Sequence, residues 1–232
     1  MKFEKIVFLM ITISICTVLI TTQLQTQDSI SVLVNNSGPY IGTAVPHDYG
    51  FDGSGIIISV IDTGVDFNHP DLLGLGLEGK IIGGYDFVDN DETPQDSNGH
   101  GTQVAGIIAA NGNLTGIAPN SKILAYRVSE DGESVSSNLI IKAIEKSISD
   151  NADIINISLG INQTNTKIDQ IVTKAIQNNI FVVTAAGNFG PEPNTIGSPG
   201  LNPNAITVGA TFNDVSSSLV STFKIEDQQF NI

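Results

Sequence analysis

Gly55-Ile56-Ile57-Ile58-Ser59-Val60-Ile61-Asp62-Thr63-Gly64 is the stretch on which the fold turns. The run from Ile56 to Asp62 is almost continuously apolar, which predicts a strand covered on both faces of a parallel sheet. It closes on a carboxylate and a Thr-Gly turn. Working outward, further strands are predicted at Ile81–Phe87, Lys122–Val128, Asp153–Leu159, Ile180–Ala185 and Ala205–Val208. Helices are predicted between them, over His100–Ala110, Ser137–Asp150 and Lys167–Asn178. In the last of these Ile168, Ile171, Val172, Ala175 and Ile176 fall at helical spacing. Strands alternating with helices predict an α/β fold: a doubly wound, mostly parallel sheet with helices on both faces.

The organisation along the chain follows from composition. Residues 1–25 hold a basic start, Lys2 and Lys5, and an apolar run from Ile6 to Ile20. That pattern predicts a secretory signal peptide or, since no small-x-small cleavage site follows, a signal-anchor. Either one predicts an extracellular or cell-surface location, with membrane contact only through this N-terminal segment. Residues 26–50 are polar and turn-rich and read as a linker, and 51–210 carry the α/β pattern. Residues 211–232 break it with a Ser- and Gln-rich tract that looks like the start of a truncated or inserted segment. The only cysteine, Cys16, lies in the apolar run, so no internal disulfide is expected. A net charge of −14 repels phosphate backbones, which argues against nucleic acid as a partner and is compatible with cations.

Asp62 ends its strand where ligands bind in open α/β sheets, beyond the carboxyl ends. His100 opens a helix between Gly99 and Gly101. An imidazole oriented by a buried carboxylate is a general base of the triad kind. Taken singly, an Asp after a strand is more often a helix cap, and a lone His a structural residue. The joint pattern is more specific: Asp62-Thr63-Gly64, His100-Gly101-Thr102 and Ala186-Gly187-Asn188, with Gly116-Ile117-Ala118-Pro119 and Asn156-Ile157-Ser158-Leu159-Gly160. Over residues 38 to 210 it resembles the subtilisin-like serine proteases, here an N-terminal portion, C-terminally incomplete.

The resemblance implies that Asp62 orients His100, that His100 takes a proton from a serine, and that Asn188 donates to the oxyanion. In subtilisin itself that last contact is worth ~10²–10³ in kcat. It further implies that Ser158, Leu159 and Gly160 pair with the backbone of a polypeptide substrate, and that Ala186 and Gly187 help to wall the specificity pocket. Gln103 stands where the family commonly has a second histidine.

Asp86, Asp89, Asp91, Thr93 and Gln95 form an acidic turn of oxygen donors, the type calcium takes, and the turn resembles a thermitase-like calcium loop. A structural calcium is the expected cofactor; a solvated acidic turn is the plainer alternative. A second family calcium site at Asp71 is not expected, because the loop from Asn111 to Thr115 is short. Gly74-Leu75-Gly76-Leu77-Glu78-Gly79 fits a dinucleotide motif in letters only, since a strand follows instead of a helix.

No Gly-Thr-Ser occurs in the chain, and Ser198, Ser216, Ser217 and Ser218 lie in the wrong contexts. In subtilisin, loss of the serine costs ~2 × 10⁶ in kcat. The 232 residues alone are therefore expected to be inactive, and unstable without the helix that covers the sheet in this family. The leading expectation is a subtilisin-like serine endopeptidase present as a portion lacking its Ser; the alternative is a non-catalytic peptide-binding pseudoprotease.

Overall fold

The computed structural model describes residues 41–76, 79–190 and 192–209, together with four short strand segments beyond them. The expected signal or anchor segment lies outside the described residues. Among the described residues no helix is long and apolar enough to cross a membrane.

The chain begins with a short helix, α1 (Ala44–Asp48), and then builds one sheet. Its strands are β1 (Ile57–Asp62), β2 (Ile81–Asp86), β3 (Lys122–Arg127), β4 (Ile154–Ile157), β5 (Phe181–Ala185) and β6 (Ile206–Val208). The helices are α2 (His100–Ala109), α3 (Ser137–Ser149) and α4 (Thr166–Gln177). The strand order is β2-β3-β1-β4-β5-β6, every neighbouring pair parallel. This is the α/β, doubly wound arrangement expected from the alternation, with each predicted strand and helix of the sheet present to within a residue or two. Beyond it lie β7 (Phe212–Asn213), β8 (Ser216–Leu219), β9 (Thr222–Ile225) and β10 (Gln228–Asn231), paired as two antiparallel ribbons.

Helix α1 was not expected, because residues 26–50 carry no helical periodicity. It is five residues long and buries none of them. A bond between His47 Nε2 and Ile117 O, 2.8 Å, ties it to the body.

Alternation along each strand sends side chains to opposite faces. Ile61, Leu124 and Tyr126 point to one side, where they meet Ile140, Ala143 and Ile144 of α3 and Ile168, Ile171, Val172 and Ala175 of α4. Val60, Ile123 and Ala125 point to the other side and meet Ala105 and Ala109 of α2. Helices α3 and α4 use the same i, i+3, i+4, i+7 stripe: Ile140, Ala143, Ile144, Ser147 and Ile168, Ile171, Val172, Ala175. Each fully buried isoleucine on those stripes is worth roughly 1.5–3 kcal/mol. The one polar intrusion is satisfied: Ser147 Oγ donates to Ala143 O at 2.7 Å and accepts from Ser59 Oγ at 2.7 Å. Helix α4 is capped by Asn165, whose side-chain oxygen accepts from Lys167 N and Ile168 N.

Helix α2 enters β3 on one face and α3 leaves β3 for β4 on the other. The carboxyl end of β1, between β3 and β4, is therefore a switch point of the sheet, where such folds open a crevice.

Candidate active site

Asp62 is the last residue of β1 and is fully buried. A buried carboxylate must be paired or hydrogen-bonded. Its Oδ1 accepts from Thr63 N at 2.7 Å and lies 2.7 Å from His100 Nδ1; its Oδ2 is buried with no partner among the described residues. Because an ionised carboxylate only accepts, Nδ1 carries the ring proton and Nε2 is left with its lone pair. The His100 ring is 43% exposed on the side of the cleft. Its pKa is raised, first by the hydrogen bond to Asp62, against the opposing effect of burial, and then by the charges of Asp62 and Asp96.

Glycine allows the pair to approach. A Cβ on Gly101 would lie 2.1 Å from Gly64 O and 3.1 Å from the Asp62 side chain. Gly99 opens the helix at φ +105°, a conformation costly for any other residue.

One residue that holds this geometry was not singled out in the sequence. Asp96 is buried, and its Oδ1 accepts from Thr63 Oγ1 (3.0 Å), Asn98 N (2.9 Å) and Gly99 N (2.9 Å). Its Oδ2 accepts from Thr102 N (2.9 Å) and Thr102 Oγ1 (2.5 Å). Thr63 Oγ1 in turn accepts from Gly101 N at 2.9 Å. Asp96 thus caps α2 and bolts it to the end of β1. Burial disfavours its charge, yet these hydrogen bonds outweigh burial and lower its pKa. An Asp shortly before a helix is the available sequence signal.

A cleft of about 450 Å³ brings His100 together with Ser158, Leu159, Gly160, Ala186, Gly187 and Asn188. Glu133, from the loop after β3, also lines it. Ser158–Gly160 continue past the end of β4, and among the described residues their backbone takes no hydrogen bond, leaving it open to an extended peptide. Asn188 follows β5, is exposed, and makes no hydrogen bond to a described residue. Ser198 touches the cleft but is spent: its hydroxyl donates to Asp169 Oδ1 (3.0 Å) and accepts from Asn165 N (2.8 Å). Among the described residues no hydroxyl lies within hydrogen-bonding distance of His100 Nε2. A larger cavity, about 540 Å³, lies along another part of α2 and includes neither His100 nor Asn188. Asp71 and Asp96 in its wall are occupied by backbone amides, so it offers less chemistry than the cleft.

The acidic turn follows β2. Asp86 Oδ1 accepts from Val88 N and Asp89 N, and Asp91 Oδ1 from Thr93 N. Arg127, unremarked in the sequence, places Nη1 2.7 Å from Asp86 Oδ2 and 2.6 Å from Asp89 Oδ2. Gln95 donates through Nε2 to Asp66 Oδ1 and Asp96 O, while its Oε1 is buried with no partner among the described residues. That orphaned acceptor and an all-oxygen donor set fit a calcium ion. Against this, Arg127 already neutralises two of the carboxylates. Among the described residues no three acidic or histidine side chains gather around one metal position. At Asp71 the short loop supplies Asn113 N (2.7 Å) and Leu114 N (3.2 Å) as donors.

The family profile described as the subtilase family matches residues 53–230. Among curated proteins, the chain is similar to the minor extracellular protease Vpr of Bacillus subtilis: 39% identical over 222 residues, covering 87% of this chain and 27% of Vpr. Thermitase of Thermoactinomyces vulgaris is 43% identical over 177 residues, covering 74% of this chain and 61% of thermitase. Among solved structures, Sphericase matches with a TM-score of 0.63 at 35% identity, covering 75% of this chain and 58% of Sphericase. The chain therefore spans between about a quarter and three fifths of the relatives it matches.

Proposed function

The chain belongs to the subtilase family, and we propose that it contributes the substrate cleft and two of the three triad groups of a secreted serine endopeptidase. The observation that carries the reading is the Asp62–His100 pair, with Nε2 free toward a cleft that also holds Asn188. A serine hydroxyl attacks the scissile carbonyl carbon and passes its proton to His100 Nε2. Asp62 keeps the Nδ1 proton in place and balances the imidazolium. The Asn188 side-chain amide donates to the oxyanion. His100 then protonates the leaving amine, and water releases the acyl group by the same route. Ser158–Gly160 hold the substrate by strand addition, and Ala186 and Gly187 bound its side-chain pocket.

In this reading the serine comes from outside residues 1–232, on a segment that covers the bare side of β4–β6. Phe181 and Ile206 there are 66% and 36% exposed, and that side adjoins the cleft. Calcium would be held through Asp86, Asp89, Asp91, Thr93 and Gln95, and would stiffen the turn leading to Asp96. Export would follow from the apolar run Ile6–Ile20.

The test is a serine-directed phosphonate probe on the native protein. Stoichiometric labelling is expected, with none on residues 1–232 alone. H100A should lower kcat by about 10⁶, the value known for subtilisin. A native protein that binds peptides but neither labels nor cleaves would establish the non-catalytic alternative instead.

A further inference from the structure

Among the described residues that line the cleft, Glu133 alone carries a carboxylate and none is a lysine or arginine. The loop that presents it is well fixed. Asp131 Oδ1 accepts from Glu133 N (2.9 Å) and Ser134 N (2.7 Å), so the neighbouring acid is consumed in the turn. Ser129 Oγ donates to Ser134 O (2.7 Å) and accepts from Gly132 N (3.0 Å). Asn98 Nδ2 donates to Asp131 O at 3.0 Å, which ties the loop to the segment that carries His100. The Glu133 side chain is exposed and forms no ion pair or hydrogen bond with the described residues. The apolar walls, Leu159, Ala186 and Phe189 among them, offer no competing charge.

Resting on the proteolytic reading above, we propose that Glu133 makes this cleft select substrates with a lysine or arginine side chain among the four residues before the scissile bond. An unpaired carboxylate carried on an anchored loop gains from a cation brought to it. The low-dielectric walls of a cleft strengthen that attraction relative to open surface. It also rejects an acidic side chain at the same place, and that repulsion is half of specificity. The net charge of −14 adds a long-range pull on cationic peptides.

The experiment uses the native protein and a fluorogenic peptide series with lysine, norleucine or glutamate placed in turn at each of the four positions before the scissile bond. Norleucine keeps the length of lysine without its charge. At one position, kcat/KM for lysine should exceed that for norleucine by about fivefold at low salt, and the ratio should shrink in 0.5 M NaCl. E133Q should bring the ratio to near one, and E133K should turn the preference toward glutamate. A ratio of one at all four positions, or an undiminished ratio in E133Q, overturns the proposal. If no peptide is cleaved and no phosphonate label forms, the protease reading fails separately. Dye-labelled versions of the peptides then report binding: tighter binding of lysine than norleucine, lost in E133Q, upholds the proposal, and equal Kd values overturn it.

Discussion

In one half of the sheet β1 and β3 are sealed on both faces, and in the other half β4 and β5 are sealed on one. In β1 and β3, successive residues are buried whichever way they point: Val60 and Ile61, then Ile123, Leu124, Ala125 and Tyr126, are all within 6% of full burial. In β4 and β5 only alternate residues are. Ile155, Ile157, Val182 and Thr184 lie against α3 and α4, at 0–2% exposure. The register places Ile154, Asn156, Phe181, Val183 and Ile206 on the face that α2 covers beside β1, and none of them is buried. The site straddles this border. Asp62 and His100 sit in the sealed half, held by Thr63 and Asp96. Asn188 sits at the end of β5 in the open half, with Phe189 beside it 50% exposed. The contrast teaches that the Asp62–His100 pair is preorganised by contacts within these residues, whereas Asn188, the proposed oxyanion donor, is only brought near.

Paired substitutions in the native protein can break that contrast. I155A empties a fully buried position between β4 and the helices and should cost ~2–5 kcal/mol. If a segment outside residues 1–232 covers the other face, F181A should cost a similar ~3–5 kcal/mol. If the face stays open, F181A should fall within ~0.5 kcal/mol of wild type. Urea midpoints at constant m-value read both; a neutral F181A would remove the main structural support for a covering segment.

Asp96 gives the next largest effect and tests the sealed half. D96A strands three backbone N–H groups and two hydroxyls in a mostly buried place. Hydrogen bonds to a charged group are worth ~1.5–3 kcal/mol each, and they do not add fully. A loss of about 3 kcal/mol is expected, with D96N milder because it keeps one acceptor. In both variants kcat should fall more than KM rises, since the loss falls on the alignment of Asp62 and His100, away from the peptide-binding edge. A D96A variant as stable and active as wild type would show that Gly99 and Gly101 alone fix the helix start.

Much of this was legible in the residues. The run Ile56–Asp62 declared a strand covered on both faces, and the stripes of α3 and α4 declared amphipathic helices, because burial imposes periodicity and periodicity survives in sequence. The motifs around Asp62, His100 and Asn188 marked residues that the fold then gathers at one switch point. What stayed hidden depends on partners far away in the chain. Arg127 reaches Asp86 and Asp89 from a neighbouring strand, and no local pattern marks a strand arginine as their counter-ion. Glu133 looks like any surface acid until the topology sets its loop over the cleft. The bare face of β4–β6 was equally illegible, since Phe181 and Val183 read as buried strand residues like Val182. Helix α1 escaped because five residues with no buried side chain have no period to show.

The finest effect concerns His100 itself, where a proton reports on the sealed half directly. Asp62 accepts its Nδ1 proton, Asp96 lies near in the same substructure, and Glu133 lines the same cleft. The hydrogen bond to Asp62 favours the imidazolium, burial opposes it, and the Asp62 and Asp96 charges tip the balance upward, so the folded pKa stands above the ordinary value near 6.5. A raised folded pKa means that the folded state binds the proton more tightly than the unfolded chain. Its contribution to stability is therefore fully present below the unfolded pKa and is lost as pH rises through the folded one. A proton acceptor has the opposite requirement, because only the neutral ring can take a proton from serine. The acid limb of kcat/KM should accordingly lie above the ordinary histidine value. The His100 ring resonance, followed by NMR titration of the native protein, should share that midpoint, and D62N should move it down. An ordinary or lowered value in the wild type would mean that the 2.7 Å contact with Asp62 does not outweigh burial, and the sealed half would then be no better prepared for proton transfer than the open one.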